Sequence, residues 1–516
     1  MRSCPWSFGL LALVACESAG IVVPDPDSAT EGAWQTLACI ERRKLDVLLV
    51  VEDSPAMAEE QPQIAEAARV LVEVLEADQN TDYRIAVTST HVNGPHCLTR
   101  PGDGTLRSTS CRARLTGFAD DGVCLAECPL DGSLVDRPWL ESISGRTNLE
   151  GGVDLGDAAA CLVIQGLGGC DFPSPLAAME LALTRALDPA DPAYGFLRSD
   201  AQLAVAFIGV TADCSVAPAH VGIFDPDGDR RFWSDPTQPT PGVCWNAGVR
   251  CSGTAPEFST CAPESWDMSG EPGASAGNAV LLPVERTVAL LDALVQTGST
   301  AGVVVTARGG VPVGYDTGGV VIRYSTSCTP DTTTADGICP GCMSEHGAGT
   351  PPVRVAAVAQ AFAPEGEPGV ASICSDEPAG LWVPLASRLE GQIRPACVTA
   401  CVADTDPATA VLDPRCEVVE LVHGEEPTPV PRCDTQIVDG EAVYTAPDGH
   451  ELCHAILIDA GGLTADSLDN LSHECVDAGY NAELRLIRTV QPRDDACISL
   501  RCQRSANPAV DCPYLD

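Results

Sequence analysis

The chain of 516 residues has few aromatic side chains, few basic ones and no long apolar run beyond its first 15 residues. Aromatic residues are only 4% of the total, so a hydrophobic core has to be built from Ala, Val, Leu and Ile. Against 72 acidic residues there are 30 basic ones, with Lys44 as the single lysine, and the formal charge is −42. Such a surface repels phosphate backbones and anionic lipid heads, which argues against nucleic acid as a partner.

The first residues indicate export. Trp6 to Ala15 form an apolar stretch that is too short to span a bilayer as a mature helix. It ends in Leu-Val-Ala-Cys16, which resembles a bacterial lipobox. The resemblance implies cleavage before Cys16 and a diacylglycerol on its sulfur, and a plain secretory signal is the alternative. We therefore predict a signal peptide over residues 1–15, a lipidated Cys16 with an extended tether over 16–42, and a membrane-anchored lipoprotein that faces the periplasm or the cell exterior.

Export makes the 26 cysteines a predicted disulfide framework, because disulfides persist in oxidising compartments. Loss of Cys4 with the signal peptide and use of Cys16 for the lipid would leave 24 cysteines, an even number that permits full pairing. Each disulfide stabilises a fold by roughly 2–4 kcal/mol, chiefly by restricting the unfolded chain. The spacing does not reveal which cysteines pair.

A buried strand followed by acidic and hydroxyl residues forms the centre of the predicted fold. Val47 to Val51 is a continuous apolar run, as in strands buried on both faces of a parallel sheet, and Glu52-Asp-Ser54 follow it. Apolar residues at helical spacing continue over 59–77, and an alternating strand pattern covers 83–90. Strand, helix and strand within about 50 residues predict a βαβ unit with its polar residues at the carboxyl edge of the sheet.

The same alternation of helices and strands continues along the chain. The further predicted elements are helices over 157–165, 175–187, 282–297, 353–362 and 381–393, and strands over 201–209, 301–306 and 370–374. Stretches rich in Gly, Pro and Cys interrupt them at about 92–152, 212–277 and 308–350, and we interpret these as disulfide-rich insertions, the first of them held by disulfides rather than by a core. Residues 397–516 combine cysteines, prolines and short alternating runs, which predict a separate, small, β-rich domain.

With these elements in place, residues 43–396 resemble a von Willebrand factor A-type domain, of the kind found in cysteine-rich bacterial lipoproteins. The stretches that carry the resemblance are 45–57, 168–176, 196–201 with 213–215, 282–286 and 372–374. It implies an α/β fold: a doubly wound, mostly parallel sheet with helices on both faces and large disulfide-rich insertions.

The resemblance also implies a divalent-cation site that this chain has partly lost. Such domains bind Mg²⁺ or another hard cation through Asp-x-Ser-x-Ser, a Thr and an Asp, because hard cations take oxygen ligands. Here the motif reads Glu52-Asp-Ser54-Pro-Ala56, and the Thr and Asp positions fall on Leu167 and on Val210 or Ala212. Only Glu52 and Ser54 remain as ligands. We therefore expect no cofactor, with residual Mg²⁺ or Ca²⁺ binding at these two residues as the alternative.

A second candidate metal site lies near the C-terminus. His450-Glu-Leu-Cys-His454 matches the H-E-x-x-H pattern of zinc peptidases, in which two imidazoles share one helical face, and Glu474 is available as a third ligand. A turn over 447–449 and a β-type run over 455–458 argue against the helix that the motif requires. A zinc peptidase at His450, His454 and Glu474 is therefore the weaker alternative.

Two shorter motifs receive structural interpretations. Cys339-Pro-Gly-Cys342 is better explained by disulfide formation in an exported chain than by redox chemistry or zinc. Asp225-Pro-Asp-Gly-Asp229 begins like a calcium loop, but Arg230 and Pro236 stand where that loop requires Gly and a bidentate Glu, so it is interpreted as a solvated turn.

These features predict a non-enzymatic, lipid-anchored binding or scaffolding protein of the adhesion type. Its expected partner is an unknown protein or cell-surface ligand, and its contact with the membrane runs through the lipid on Cys16. The sequence contains no P-loop or dinucleotide fingerprint. Cation-dependent adhesion through Glu52 and Ser54, and peptidase activity at His450 and His454, are the alternative functions.

Overall fold

The computed structural model describes residues 34–512 except for 38–42, 78–80, 93, 95–96, 98–101, 119–121, 144, 317, 329–335, 345–346, 364–368, 376–395, 407, 409–410, 423–424, 439–440, 460–469, 473–474, 477 and 489–495. Cys16, Glu474 and the helix expected over 381–393 lie outside the described residues. Two compact units are present: the sheet unit, Arg42–Ile393, and the C-terminal unit, which combines Arg394–Asp516 with Met1–Glu41. The first strand, β1 (Trp34–Leu37), belongs to the C-terminal unit.

The sheet unit combines helices with parallel and antiparallel strands. Its described strands are β2 (Arg43–Val51), β3 (Thr81–Ser89), β4 (Leu140–Ile143), β5 (Arg146–Thr147), β6 (Gln202–Ile208), β7 (Val249–Thr254), β8 (Glu257–Pro263), β9 (Gly302–Gly309), β10 (Tyr324–Ser325), β11 (Cys342–Ser344), β12 (Gly347–Gly349) and β13 (Val370–Ser372). Its described helices are α1 (Gln61–Ala77), α2 (Gly122–Glu127), α3 (Leu155–Val163), α4 (Pro175–Leu187), α5 (Gly242–Gly248), α6 (Val284–Gln296) and α7 (Val353–Ala361).

The main sheet has seven strands in the order β13-β9-β6-β2-β3-β4-β5. The first five are parallel to one another, and β4 and β5 are antiparallel additions at one edge. Strand β2 is central, with Val47 opposite Ile85 of β3 on one side and Ala204 of β6 on the other. The carboxyl ends of the parallel strands therefore meet at a single edge, next to Glu52.

The two faces of this sheet bury separate apolar clusters. Val47 and Leu49 point into a cluster formed with α1 and α3, and Leu48 and Val50 point into another formed with α4, α6 and α7. Because successive side chains of a strand point to opposite faces, a strand covered on both sides needs an unbroken apolar run. Helices thus lie on both faces of a mixed α/β unit, and its core is made mainly of aliphatic side chains.

The first insertion, at about 92–152, contributes both to the main sheet and to the apolar core. It contributes β4 and β5 to the main sheet, and Leu140 and Cys124 are buried in the core against α1 and α3. The expectation that this insertion is held by disulfides without a core is therefore wrong. The four residues of β4, with Leu140 and Ser142 buried and Glu141 partly exposed, are too few to leave a clear periodic signal.

The predicted disulfide framework is present. In the described part of the sheet unit the pairs are Cys97–Cys170, Cys111–Cys124, Cys128–Cys161, Cys214–Cys244, Cys251–Cys261, Cys328–Cys339 and Cys342–Cys374. In that of the C-terminal unit they are Cys397–Cys475, Cys401–Cys512, Cys416–Cys502 and Cys433–Cys453. Several pairs fasten an insertion to the scaffold, as Cys128–Cys161 does for α3.

The C-terminal unit consists of small antiparallel sheets. Besides β1, its described elements are β14 (Ala396–Cys397), β15 (Cys416–Val422), β16 (Thr428–Pro429), β17 (Asp434–Val438), β18 (Glu441–Thr445), β19 (Leu452–Leu457), β20 (Glu483–Arg488), β21 (Ala496–Gln503) and α8 (Pro508–Asp511). They form the sheets β1-β21-β15-β16, β14-β20-β19 and β17-β18. Part of the segment expected to be a tether, Trp34–Leu37, is thus a paired strand. No helix in the described residues of either unit is long and apolar enough to cross a membrane.

Candidate functional site

The centre of the candidate site is the Glu52 carboxylate at the carboxyl end of β2. Its Oε2 accepts hydrogen bonds from the backbone amides of Val210 at 2.8 Å and Thr211 at 3.2 Å. Its Oε1 accepts from the Thr211 hydroxyl at 3.0 Å and from the Ser54 hydroxyl at 2.5 Å. Four protein donors therefore surround a side chain that is only 2% exposed.

Burial controls the protonation of Glu52. Removal from water disfavours the charged form and raises the pKa of Glu52 to about 7, although the bonds from Ser54, Val210 and Thr211 act in the opposite direction. The carboxyl group is therefore close to half-protonated at neutral pH. A cation at this carboxyl group would therefore also compete with a proton.

A second buried acid, Glu60, lies near Glu52 in the turn before α1. It is 1% exposed, and neither of its carboxylate oxygens has a hydrogen-bond partner among the described residues. Burial raises the pKa of Glu60 to about 7, the positive charge of Arg308 lowers it, and the negative charges of Glu59 and Glu52 raise it. Arg308 comes from the end of β9 and is itself 2% exposed. The buried acids Glu52 and Glu60 and the buried base Arg308 thus lie at the same edge of the sheet.

The β11–β12 hairpin covers this edge. The Thr350 amide, just after β12, donates to the Val210 carbonyl at 2.7 Å, and the Cys342–Cys374 disulfide fixes the first strand of the hairpin. Gly347 packs so closely on Glu60 that a Cβ atom there would lie 2.7 Å from its Oε1. Glu60 is therefore sealed from solvent by the insertion that follows β9.

The structure brings only some of the predicted cation ligands together. Ser54 donates its hydroxyl to Glu52, so these two are adjacent. Leu167 instead packs against the apolar core, and Val210 and Ala212 are buried. Thr211 lies between Val210 and Ala212, and its hydroxyl donates to Glu52. The A-type sequence motif did not identify Thr211 as a site residue. A cation at Glu52 would have to displace hydrogen bonds from four donors.

A buried ion pair lies in the loop after β6. Arg354 of α7 donates from Nε to Asp213 Oδ2 at 2.9 Å, and both side chains are at most 3% exposed. The other oxygen of Asp213 accepts from the Ser215 hydroxyl at 2.6 Å and from the Leu176 amide at 3.3 Å, in the first turn of α4. The Ser215 hydroxyl in turn accepts from the Ala177 amide at 2.9 Å. These hydrogen bonds hold α4 and α7 in place, which is a structural role.

The zinc-peptidase motif does not lie on a helix. His450 belongs to a turn, and His454 lies in β19, where it is paired with Leu486 of β20. The Nδ1 atom of His454 lies 3.0 Å from the Val430 carbonyl oxygen and is hydrogen-bonded to it. Burial lowers the pKa of His454. Because a turn and a strand replace the helix that the motif requires, nothing places the two imidazoles on one helical face, as a zinc peptidase site needs.

In the described part of the chain, one group of three potential metal-ligand atoms lies close together, and all three atoms are cysteine sulfurs. Cys111, Cys124 and Cys128 have sulfur atoms within 4.8 Å of one another, but each is in a disulfide and has no thiolate to offer. Cys339 pairs with Cys328 and Cys342 pairs with Cys374, so both cysteines are in disulfides, in agreement with the structural interpretation of that motif.

The calcium-like loop forms a local turn. Asp225 Oδ1 accepts from the Asp227 amide at 2.9 Å, and Asp229 Oδ1 accepts from the Arg231 amide at 3.0 Å. The Arg230 guanidinium donates to the Pro226 carbonyl inside the same loop at 2.6 Å. The positive side chain of Arg230 thus lies within the loop, at the position where a calcium loop requires Gly.

Comparisons with known proteins give only distant likenesses. No protein-family model and no curated protein matches the chain. Similar solved structures include the pilus adhesin SpaC from Lactobacillus rhamnosus GG, with 9% identity over 91% of this chain and 41% of that chain and a TM-score of 0.27. The pilus adhesin RrgA from Streptococcus pneumoniae has 7% identity over 92% of this chain and 58% of that chain, with a TM-score of 0.26.

The adhesive tip pilin GBS104 from Group B Streptococcus agalactiae has 9% identity over 92% of this chain and 82% of that chain, with a TM-score of 0.28. This chain thus spans about two fifths of SpaC and under three fifths of RrgA. TM-scores at this level carry no argument about function. The structure itself shows a mixed α/β chain with a large, partly parallel sheet and many disulfides.

Proposed function

We propose that this chain is an exported, non-enzymatic binding module of the adhesion type, whose sheet unit is a doubly wound A-type domain without a working cation site. The order of five parallel strands, with helices on both faces, supports the assignment of the domain. The disulfide framework supports export, because such bonds require an oxidising compartment. Lipid attachment at Cys16 is part of the proposal and rests on the sequence Leu-Val-Ala-Cys16.

One observation carries the proposal for the site: the Glu52 carboxylate is saturated by four protein donors. Mg²⁺ demands nearly ideal octahedral geometry and loses its water reluctantly, so it does not compete well for such a group. In this proposal the Glu52 network locks the loops at the sheet edge. A partner then docks on the loops and insertions instead of completing the coordination of a cation.

Elemental analysis of the folded, oxidised mature protein tests this function. The proposal expects neither bound zinc nor bound divalent cation, no heat on titration with Mg²⁺ or Mn²⁺, and no hydrolysis of casein. Stoichiometric Mg²⁺ or Mn²⁺ would establish the cation-dependent alternative, and stoichiometric zinc with casein hydrolysis would establish the peptidase. Anchoring is tested separately with labelled palmitate, which should enter the wild-type protein and not the Cys16→Ser variant.

A further inference from the structure

Two disulfides of the first insertion lie side by side in the core. Cys111 is bonded to Cys124, and Cys128 is bonded to Cys161 of α3. The sulfur atoms of Cys111, Cys124 and Cys128 all lie within 4.8 Å of one another. All four cysteines are at most 1% exposed, and they belong to the apolar cluster formed with α1 and α3. The sulfur of Cys128 is therefore a close neighbour of a disulfide to which it does not belong.

Local structure brings two of these sulfurs to one face of a helix. The helix α2 covers Gly122–Glu127, and the Cys128 amide donates to the Cys124 carbonyl at 3.0 Å, so the helical turn continues to Cys128. Residues four positions apart lie on the same face of a helix, one turn from each other. Cys124 and Cys128 consequently share the face on which the sulfur of Cys111 also lies.

Hydrogen bonds hold the segment of Cys111 against α2 independently of the disulfides. Arg112, the next residue in the chain, donates from Nη2 to the Leu125 carbonyl at 2.9 Å and from Nε to the Cys128 carbonyl at 2.5 Å. Both bonds come from one guanidinium group and reach two carbonyls at the end of the same helix. A change in disulfide pairing does not remove these contacts.

A second arginine holds α2 beside α3. Arg69 of α1 donates from Nη2 to the Glu127 carbonyl at 2.5 Å, and from Nε to Asp157 Oδ1 in the first turn of α3 at 3.2 Å. The end of α2 is thus fastened to the helix that carries Cys161 by bonds other than the disulfide. The sulfur of Cys128 therefore stays near its neighbours when its bond to Cys161 is absent.

The order of the cysteines along the chain gives this packing a consequence. Cys161 follows Cys128 by 33 residues, so it is synthesised after the other three. Until Cys161 joins them, the three cysteines of the insertion can form only one disulfide among themselves, and one of them keeps a thiol. A thiolate that lies next to a disulfide exchanges with it by attack on one of its sulfurs.

We propose that Cys111, Cys124 and Cys128 form a thiol–disulfide exchange unit that sorts the disulfides of the first insertion. While Cys128 is not bonded to Cys161, its thiolate attacks the disulfide beside it. A bond forms from Cys128 to either Cys111 or Cys124, the Cys111–Cys124 bond breaks, and the other sulfur of that pair leaves as the thiolate. The reverse step frees Cys128 again.

The exchange itself consumes no oxidant or reductant, because one S–S bond replaces another. Closure of the Cys128–Cys161 bond ends it, and this step requires a disulfide oxidant that takes two electrons and two protons from the two thiols. Whichever pair of the insertion closes first, the unit thus delivers Cys128 as the thiol for Cys161. This inference rests on the disulfide pairs, and it does not depend on the function proposed for the sheet unit.

The Cys161→Ser variant of the full mature protein tests the proposal, because it leaves one thiol in the unit. After an acid quench and alkylation, mass spectrometry locates that thiol, and cleavage after Glu127 separates the peptides of Cys124 and Cys128. We expect the thiol on Cys111 or Cys124 as well as on Cys128.

Cys261→Ser is the matched control, since it leaves Cys251 as a single thiol in the β7–β8 hairpin. In the described part of the chain, no other disulfide has a third cysteine sulfur within 4.8 Å of both of its sulfurs. The free thiol of this variant should therefore stay on Cys251. Circular dichroism verifies the folding of both variants.

Partial reduction of the wild-type protein supplies a test without substitution. A water-soluble phosphine at pH 5, in urea below the unfolding transition, converts a disulfide to two thiols and becomes the phosphine oxide, while few thiols are ionised. After removal of the phosphine, the pH is raised. In molecules whose Cys128–Cys161 bond was opened, the thiol of Cys128 should move to Cys111 or Cys124. The initial rate should rise about tenfold per pH unit below the thiol pKa, because the thiolate is the attacking species.

Two results would overturn the proposal. One is a thiol that remains on Cys128 alone, both in Cys161→Ser and in the reduced wild type after the pH step. The other is equal movement of the Cys251 thiol, which would show general exchange between disulfides rather than exchange within this unit. If Cys161→Ser does not fold, the pH step on the wild type decides between these outcomes.

Discussion

The Glu52 carboxylate accepts a hydrogen bond from the Val210 amide at 2.8 Å, and this bond joins the carboxyl ends of the neighbouring parallel strands β2 and β6. The same oxygen accepts from the Thr211 amide at 3.2 Å. One side chain thereby satisfies two backbone donors of the loop after β6, in a region where the Val210 side chain is buried. The loop geometry depends on an acceptor at position 52 more than on a negative charge.

This relationship predicts different outcomes for two substitutions. Glu52→Leu removes the acceptor and leaves the Val210 and Thr211 amides unsatisfied, which should cost about 2–6 kcal/mol at roughly 1–3 kcal/mol for each buried donor. Glu52→Gln should cost less than about 1 kcal/mol, because its carbonyl can accept from the two amides while its NH₂ donates to the rotatable hydroxyls of Ser54 and Thr211. Urea unfolding of both variants measures the difference. Equal losses would show that the charge itself holds the loop.

The central strands were predictable because burial on both faces forces an unbroken apolar run. Val47–Val51 lies within β2, and 201–209 contains β6. The short strands β4 and β5 were not predictable, since four and two residues in a Gly- and Pro-rich stretch leave no period to detect. The disulfide pairs depend on which loops meet in space, and the sequence contains no trace of that.

The candidate site was only half predictable for a similar reason. Glu52 and Ser54 follow a recognisable strand, so the sequence placed them together at the sheet edge. Thr211 follows Val210, the position at which the A-type motif expects an Asp. A search for any oxygen-bearing side chain next to Val210 would have identified Thr211. Glu60 and Arg308 come from elements nearly 250 residues apart in sequence, and only the parallel pairing of β2, β6 and β9 brings them together.

Removal or addition of divalent cations should leave the stability of the protein unchanged. The physical reason is that a cation would have to displace the hydrogen bonds that four protein donors make to Glu52. We expect the Tm of the mature protein to be the same, within error, in EDTA and in millimolar MgCl₂ or MnCl₂. A rise in Tm with either salt that disappears in Glu52→Gln would contradict this expectation and locate the cation at Glu52.

The stability of the sheet unit should fall as pH rises from about 4.5 to about 7. Burial raises the pKa of Glu60 from its usual 4.5 to about 7, so the folded state keeps a proton that the unfolded state releases across this range. The contribution of Glu60 is therefore complete below pH 4.5 and is lost as pH rises through 7, by on the order of 1–3 kcal/mol. Glu52 acts in the same direction.

Glu60→Gln tests this pH dependence, because it keeps the volume of the side chain and removes the titrating group. Urea unfolding at pH 5.0 and pH 7.5 should show a smaller loss of stability for Glu60→Gln than for the wild type. Glu285→Gln is a suitable control, since Glu285 is exposed at the start of α6 and its substitution should leave the pH dependence of the wild type intact. Parallel pH profiles for all three proteins would contradict the assignment to Glu60.

The Asp213–Arg354 pair should contribute strongly to stability, unlike ion pairs at the surface. Arg354→Met leaves the Asp213 charge buried without its partner, and such a change costs about 3–5 kcal/mol. The matched control is Arg250→Met, because Arg250 is 61% exposed beside Glu264 and exposed pairs contribute about 0–1 kcal/mol.

Asp213→Asn combined with Arg354→Met should recover part of the loss, since the uncompensated charge is then absent and the Asn amide can still accept from the Leu176 amide through its oxygen. Urea unfolding of the single and double variants gives the coupling energy between the two positions. Additive losses would mean that each side chain acts through separate contacts, with the Arg354 bond to the Leu282 carbonyl as the main contribution of that residue. A double variant more stable than either single variant would establish the buried charge as the cause.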